Sequence, residues 1–146
     1  MTASNVFENN LALLIFNNTP IATIGDAAGI LGSAVAGSLY VSLHTADPGE
    51  AGTQATSECA YTSYARVAVA RSAAGWTVAG SNASNTAVVT WPACTGGTES
   101  ATHFGIGAAA SGTGKLLASG ALSAALAISN GITPEAAIGA LDCDID

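Results

Sequence analysis

Between Ser38 and His44 the side chains alternate, with Leu39, Val41 and Leu43 on one parity and Tyr40, Ser42 and His44 on the other. A backbone with that period buries a single face only when it is an extended strand. Asp47-Pro48-Gly49 then breaks the run, because proline fixes its own φ and glycine accepts the positive φ of a tight turn. A second alternating run follows Tyr64, where Val67 and Val69 interleave with Arg66, Ala68 and Ala70. The same reading extends to Trp76–Val78, Ala87–Trp91, His103–Gly107, Lys115–Leu122, Ala125–Ser129 and Ala137–Ile145. Gly96-Gly97, Ser111-Gly112-Thr113-Gly114 and Asn130-Gly131 separate these runs. Roughly seven or eight short strands at this spacing predict a mainly β fold, an antiparallel β-sandwich or jelly-roll-like domain.

The first third of the chain reads differently and predicts one or two short N-terminal helices. Asn5 serves as a predicted N-cap with Glu8 three residues on, and Phe7, Leu11, Leu14 and Ile15 then follow helical spacing. Asn17-Asn18-Thr19-Pro20 ends that helix. Asp26 is the predicted cap of a second one, running through Ile30 and Leu31 to Gly37. The expected organisation is a single domain, with residues 1–37 as a helical segment and residues 38–146 as the sandwich. Ala27 to Ala46 is twenty residues without a fixed charge, but Gly29, Gly32 and Gly37 interrupt it and its end alternates. A buried helix followed by a strand is therefore expected, not a membrane span. No charged n-region precedes an apolar segment, so no secretory signal is expected.

Charged residues make up only 9% of the 146 residues, against about 25% in an ordinary soluble domain. A surface so poor in charge predicts coverage by neighbouring protein. The only fixed cations are Arg66, Arg71 and Lys115, and the net charge is -7. Nucleic acid needs clustered cations to displace its counterions, and an anionic membrane needs the same, so neither is an expected partner. Cys59, Cys94 and Cys143 are odd in number and lack CxxC spacing. Free thiols are expected, with one chance pair left open.

Candidate chemistry is sparse. Ser111-Gly112-Thr113-Gly114-Lys115 resembles a phosphate loop only superficially: Ala109 stands where its first glycine belongs, and Leu116 where its magnesium-binding hydroxyl belongs. A hairpin turn is the better reading. His44 and His103 lack the context of a hydrolytic base and are expected to be structural or interfacial. Asp142, Asp144 and Asp146 share a parity and read as a charged strand edge rather than a calcium site. No catalytic residue, cofactor or metal is expected. Trp91 and Phe104 read as core. Tyr61 and Tyr64 precede the second strand within Glu50–Ser63, the longest polar connection and hence the expected contact arm. The predicted partner-contact residues are Phe7, Leu11 and Leu14 on the helix with Glu50, Glu58, Tyr61 and Tyr64 on the arm.

The segments LYVSLHTADPGEAGTQATSE, YARVAVARSAAGWTVAG, NTAVVTWPACTGG, THFGIG and SGTGKLLASGAL resemble a family of small tailed-bacteriophage and prophage structural proteins, labelled tail-fibre-like. The resemblance runs from about Leu39 to near the C-terminus. It implies a virion component, made in the host bacterial cytoplasm, and not an enzyme. On size, the expected role is a capsid decoration (cement) protein, since a compact sandwich with an arm needs no repetitive fibre shaft. Such a protein would sit as a homotrimer on the capsid surface and bind the major capsid protein across capsomer boundaries. The alternative is a tail-fibre or baseplate tip module that binds the host surface.

Overall fold

The alternating run forms an inner strand of the main sheet. In the computed structural model, which describes residues 2–145, β1 (Ser38–His44) pairs with β2 (Val67–Ala70) on one side and with β6 (Thr98–Gly107) on the other. β7 (Leu116–Ser129) lies beyond β6, giving the order β2-β1-β6-β7. A second sheet has the order β3-β4-β9, from Trp76–Ala79, Asn82–Asn85 and Asp142–Asp144. A ribbon joins β5 (Val89–Thr90) to β8 (Glu135–Ala136). All of these pairings are antiparallel. The protein is mainly β, an antiparallel sandwich preceded by one helix, α1 (Asn5–Asn17).

The period of two explains the core. Leu39, Val41 and Leu43 of β1 meet Phe104 and Ile106 of β6, Trp76 of β3, Ala83 of β4, and Trp91 in one buried cluster. The indole Nε1 of Trp91 donates to the Val41 carbonyl at 3.2 Å, which satisfies the one polar atom of a large buried ring. Beyond Val41 the alternation stops mattering, because Ser42, Leu43 and His44 are all buried. The connection from residue 45 to residue 66 covers the second face there.

Several elements depart from their sequence reading for identifiable reasons. Ser4, not Asn5, is the N-cap of α1, and its hydroxyl accepts from the Phe7 amide at 3.3 Å. Asn18 closes the helix with φ 58, as its place after the apolar run suggests. The second helix does not form. Asp26 does accept from the amides of Ala28 and Gly29, at 2.8 and 2.9 Å, as a cap would. Gly29 then takes φ +70, and Ile30 exchanges two main-chain bonds of 2.9 Å with Ile21, so the turn closes on itself. A side chain at Gly29 would lie 1.9 Å from the Ile21 carbonyl oxygen. The predicted helical segment 1–37 thus contains α1 followed by an irregular loop.

Lys115–Leu122 and Ala125–Ser129 are one strand rather than two. Ala101 pairs with Leu126 and His103 with Ala121, so Leu122 to Ala125 bulge opposite the single residue Thr102. β4, with the sequence NASN, carries no strand signal because asparagine is depleted from strands. It is held by Asn85, whose buried amide donates to Ala87 and Ala137 at 2.7 and 2.8 Å and accepts from Leu141 at 2.9 Å.

Candidate interaction surface

The connection from β1 to β2 was the expected contact arm, yet its polar side chains turn inward. Glu58 and Arg66 form a two-pronged ion pair, Nε to Oε1 at 2.7 Å and Nη2 to Oε2 at 2.7 Å. The same guanidinium donates to the carbonyls of Ala109 and Gly112 at 2.9 and 2.6 Å. One arginine therefore ties the connection to the β6–β7 hairpin, and its pairing with Glu58 raises its pKa further. Tyr64 donates its hydroxyl to Glu58 at 3.0 Å and accepts from the Leu43 amide at 2.9 Å. Burial raises the Tyr64 phenol pKa strongly.

Tyr61 is buried, donates to the Pro92 carbonyl at 2.8 Å, and meets Tyr64 edge to face at 5.2 Å. Its phenol is pushed up to about 12, chiefly by burial. Glu99 of β6 accepts from the amides of Ala60 and Tyr61, at distances from 2.9 to 3.1 Å. Burial and that carboxylate push the Cys59 thiol up to about 12. Glu58, Tyr61 and Tyr64 are thus brought together, but as a fastening within the fold. Glu50 alone of the four arm residues remains exposed at the surface.

Gln54, with 0% exposure, fills the space above two glycines. Its Nε2 donates to Tyr40 at 3.2 Å and its Oε1 accepts from Ala109 at 3.0 Å. A Cβ at Gly107 would lie 2.0 Å from its Cδ, and one at Gly114 would lie 2.1 Å from its Oε1. The bare backbone at both positions is what admits the side chain.

Ser42 and His44 form a buried hydroxyl–imidazole pair. Ser42 Oγ lies 2.8 Å from His44 Nε2, and His44 Nδ1 lies 2.8 Å from the Thr56 carbonyl. A carbonyl only accepts, so Nδ1 carries the proton and neutral Nε2 receives the serine hydroxyl. Both residues have 0% exposure, and a carbonyl stands where a catalytic carboxylate would orient the ring. Burial lowers the His44 pKa. The geometry serves to pin the connection at Thr56. The other histidine, His103, bonds its Nδ1 to Thr102 Oγ1 at 2.9 Å.

Outward-facing apolar surface lies elsewhere. In the loop between α1 and β1, Leu31 is 67% exposed and Val35 81%, with Ile24 and Ile30 also exposed, and Asp26 is the single charge between Thr19 and Gly37. Val6 and Phe7 add to it at the start of α1. Leu11 and Leu14, by contrast, are half-buried. The loop is anchored at few points. Asn18 reads Ser33 like a backbone partner, donating to its carbonyl at 2.9 Å and accepting from its amide at 2.7 Å. Arg71 donates to Ser33 Oγ at 2.9 Å, to the Ile15 carbonyl at 2.6 Å, and to the Leu14 carbonyl, capping the helix C-terminus.

Phe7, a predicted contact residue, is exposed, and so are Leu31 and Val35, which sequence reasoning assigned to a buried helix. The available signal was composition: apolar residues without helical spacing, interrupted by Gly29 and Gly32. Among the described residues no group of three or more His, Cys, Asp or Glu is placed to hold a metal ion. Asp142 and Asp144 both receive the amide of Asn82, and Asp146 lies outside the described residues. No helix among the described residues is long and apolar enough to cross a membrane.

The sandwich is fastened internally by Arg66 and Glu58, and its nearly uncharged apolar loop is turned outward. A family described as podophage GP4 fiber I protein gp80 matches residues 2–144. The chain belongs to this family. Membership makes it a structural component of a phage virion, and it extends the resemblance from Leu39 back across α1 and the loop. No curated protein matches the chain.

Proposed function

We propose that this chain is a non-enzymatic component on the fibre side of a phage virion, held on another virion protein through its N-terminal third. The observation that carries this reading is the fibre-family match over residues 2–144. It is supported by the exposed, nearly uncharged surface of residues 22–35 and the start of α1. Apolar surface rimmed by polar residues marks a protein contact. Three of the fold's most reactive side chains, Ser42, His44 and Cys59, are buried and engaged, which favours a structural over a catalytic role.

The test is to separate heads from tails in purified virions and probe each fraction with an antibody to this chain. Signal in the tail fraction, at a handful of copies per particle, supports the fibre reading. Signal in the head fraction at hundreds of copies favours capsid decoration, the role in which a homotrimer would seat on the major capsid protein. That second reading draws on one observation, the antiparallel sandwich of the described residues. Removing the protein should abolish adsorption in the first case and lower the temperature of genome release in the second.

A further inference from the structure

β7 and β9 are the outermost strands of their sheets, and a cleft of about 800 Å³ lies between them. One wall is the consecutive run Leu116–Ala121 of β7 and the other is Asp142–Ile145. Ile15 and the buried Phe16 of α1 form part of its lining. Among the described residues, no main-chain bond joins Leu116–Ala121 to any partner other than β6. An unpaired edge of this kind presents a row of amides and carbonyls ready for another strand. Two common devices against such pairing are missing, since Leu116–Ala121 contains neither charge nor proline, and the irregularity at Leu117 leaves Ala118–Ala121 regular. A register shift at Leu117 and the bulge that begins at Leu122 limit the regular edge to Ala118–Ala121, roughly 13 Å of strand.

The rim of the cleft selects the occupant. Asp47, Glu50, Asp142 and Asp144 all line it, and no lysine or arginine does. A second copy of this chain is poorly suited to that field, because Arg66 and Arg71 are committed inside the fold and only Lys115 remains.

We propose that the cleft receives an extended, Lys- or Arg-bearing segment of a different virion protein, which adds to the free edge of β7 while its cations face the four carboxylates. This rests on the reading of the chain as a component assembled onto another virion protein, but it concerns a different surface from residues 22–35. Main-chain bonds to β7 would supply the affinity and the acidic rim the choice of partner.

The test uses the intact chain and a fluorescent peptide of alternating lysine and valine, with a glutamate–valine peptide as control. The lysine peptide should bind, and the glutamate peptide should not. Methylating alternate backbone nitrogens of the lysine peptide, on the side that would face β7, should abolish binding, because only strand addition needs those donors. Glu50→Lys and Asp144→Lys should each weaken binding about fivefold, and less so in high salt. Amides of Leu116–Ala121 should gain protection from hydrogen exchange when the peptide binds. Equal binding of the two peptides, binding indifferent to methylation, or protection confined to other segments would overturn the proposal. So would no binding at all, or self-association of the chain that the lysine peptide displaces. Head–tail fractionation reports on virion location independently, so the two readings fail separately.

Discussion

The loop before β1 (residues 19–37) and the connection after it (residues 45–66) are both irregular, both rich in Thr, Ser, Ala and Gly, and similar in length. They behave in opposite ways. The later stretch directs its side chains inward: Gln54, Glu58, Tyr61 and Tyr64 bond strands, hairpin and one another. The earlier stretch turns Ile24, Leu31 and Val35 outward and is tethered through Ile21, Ser33 and Gly37. Length and polarity therefore do not make a contact arm. What decides is whether a segment's polar groups already have partners within the fold, because a side chain engaged in two or three bonds is costly to redirect toward a neighbour.

The sharpest way to break this contrast is Arg66→Ala. It leaves Glu58 without its partner and two carbonyls without a donor, so a loss of about 3–5 kcal/mol is expected. The melting temperature should fall by about 10 °C or more in calorimetry. Arg66→Lys should recover little, since an ammonium cannot reproduce the two-pronged pair. A loss below about 1 kcal/mol would show that the connection is not fastened there.

Next in size is Gly107→Ala, which drives a methyl into Gln54 and should cost about 1–3 kcal/mol in denaturant unfolding. Gln54→Ala removes the obstacle, so the double variant should be more stable than the sum of the two single losses predicts. Simple additivity would mean that the two residues do not compete for the same space.

A smaller effect follows pH. The unfolded His44 takes up its proton near pH 6.5, whereas the folded one resists it to lower pH. Stability should thus be fully present above pH 6.5 and decline as pH falls below it, and His44→Asn should flatten that decline. On the alkaline side, the Cys59 thiol rises from 9.0 to about 12, so its contribution is present below pH 9 and lost between pH 9 and 12. Cys59→Ala should remove part of that limb.

The smallest expected change in stability is in the earlier loop. Leu31→Ser and Val35→Ser should each alter unfolding free energy by less than about 0.5 kcal/mol, while lowering incorporation into virions. A large loss of stability would mean that these side chains support the fold rather than a partner.

These regions also mark where the sequence could and could not be read. β1 as far as Val41 and β2 were legible because one face packs more than the other, so the pleat is written into the residue order. α1 was legible because Phe7, Leu11 and Leu14 share a face and Pro20 follows. β4 was not, because Asn85 holds it through side-chain bonds that leave no period. The loop at 21–37 misled because Asp26 caps a turn as readily as a helix, and only the contact between Gly29 and Ile21 decides between them. Glu58 with Arg66 was missed as a unit, though an arginine in a chain with three cations was a signal in itself. The family resemblance pointed to a virion component before any geometry, and the structure adds which surfaces are free to meet the rest of the particle.

The two flanks of the main sheet are unequal. On one, β2 is four residues long, and past its end Ser57 and Cys59 continue the edge by bonding to Thr45 and Leu43 at 2.8 Å. On the other, β7 stands open over Leu116–Ala121. A strand added over Ala118–Ala121 would lengthen the main sheet on that flank alone and leave the short β2 flank as it is.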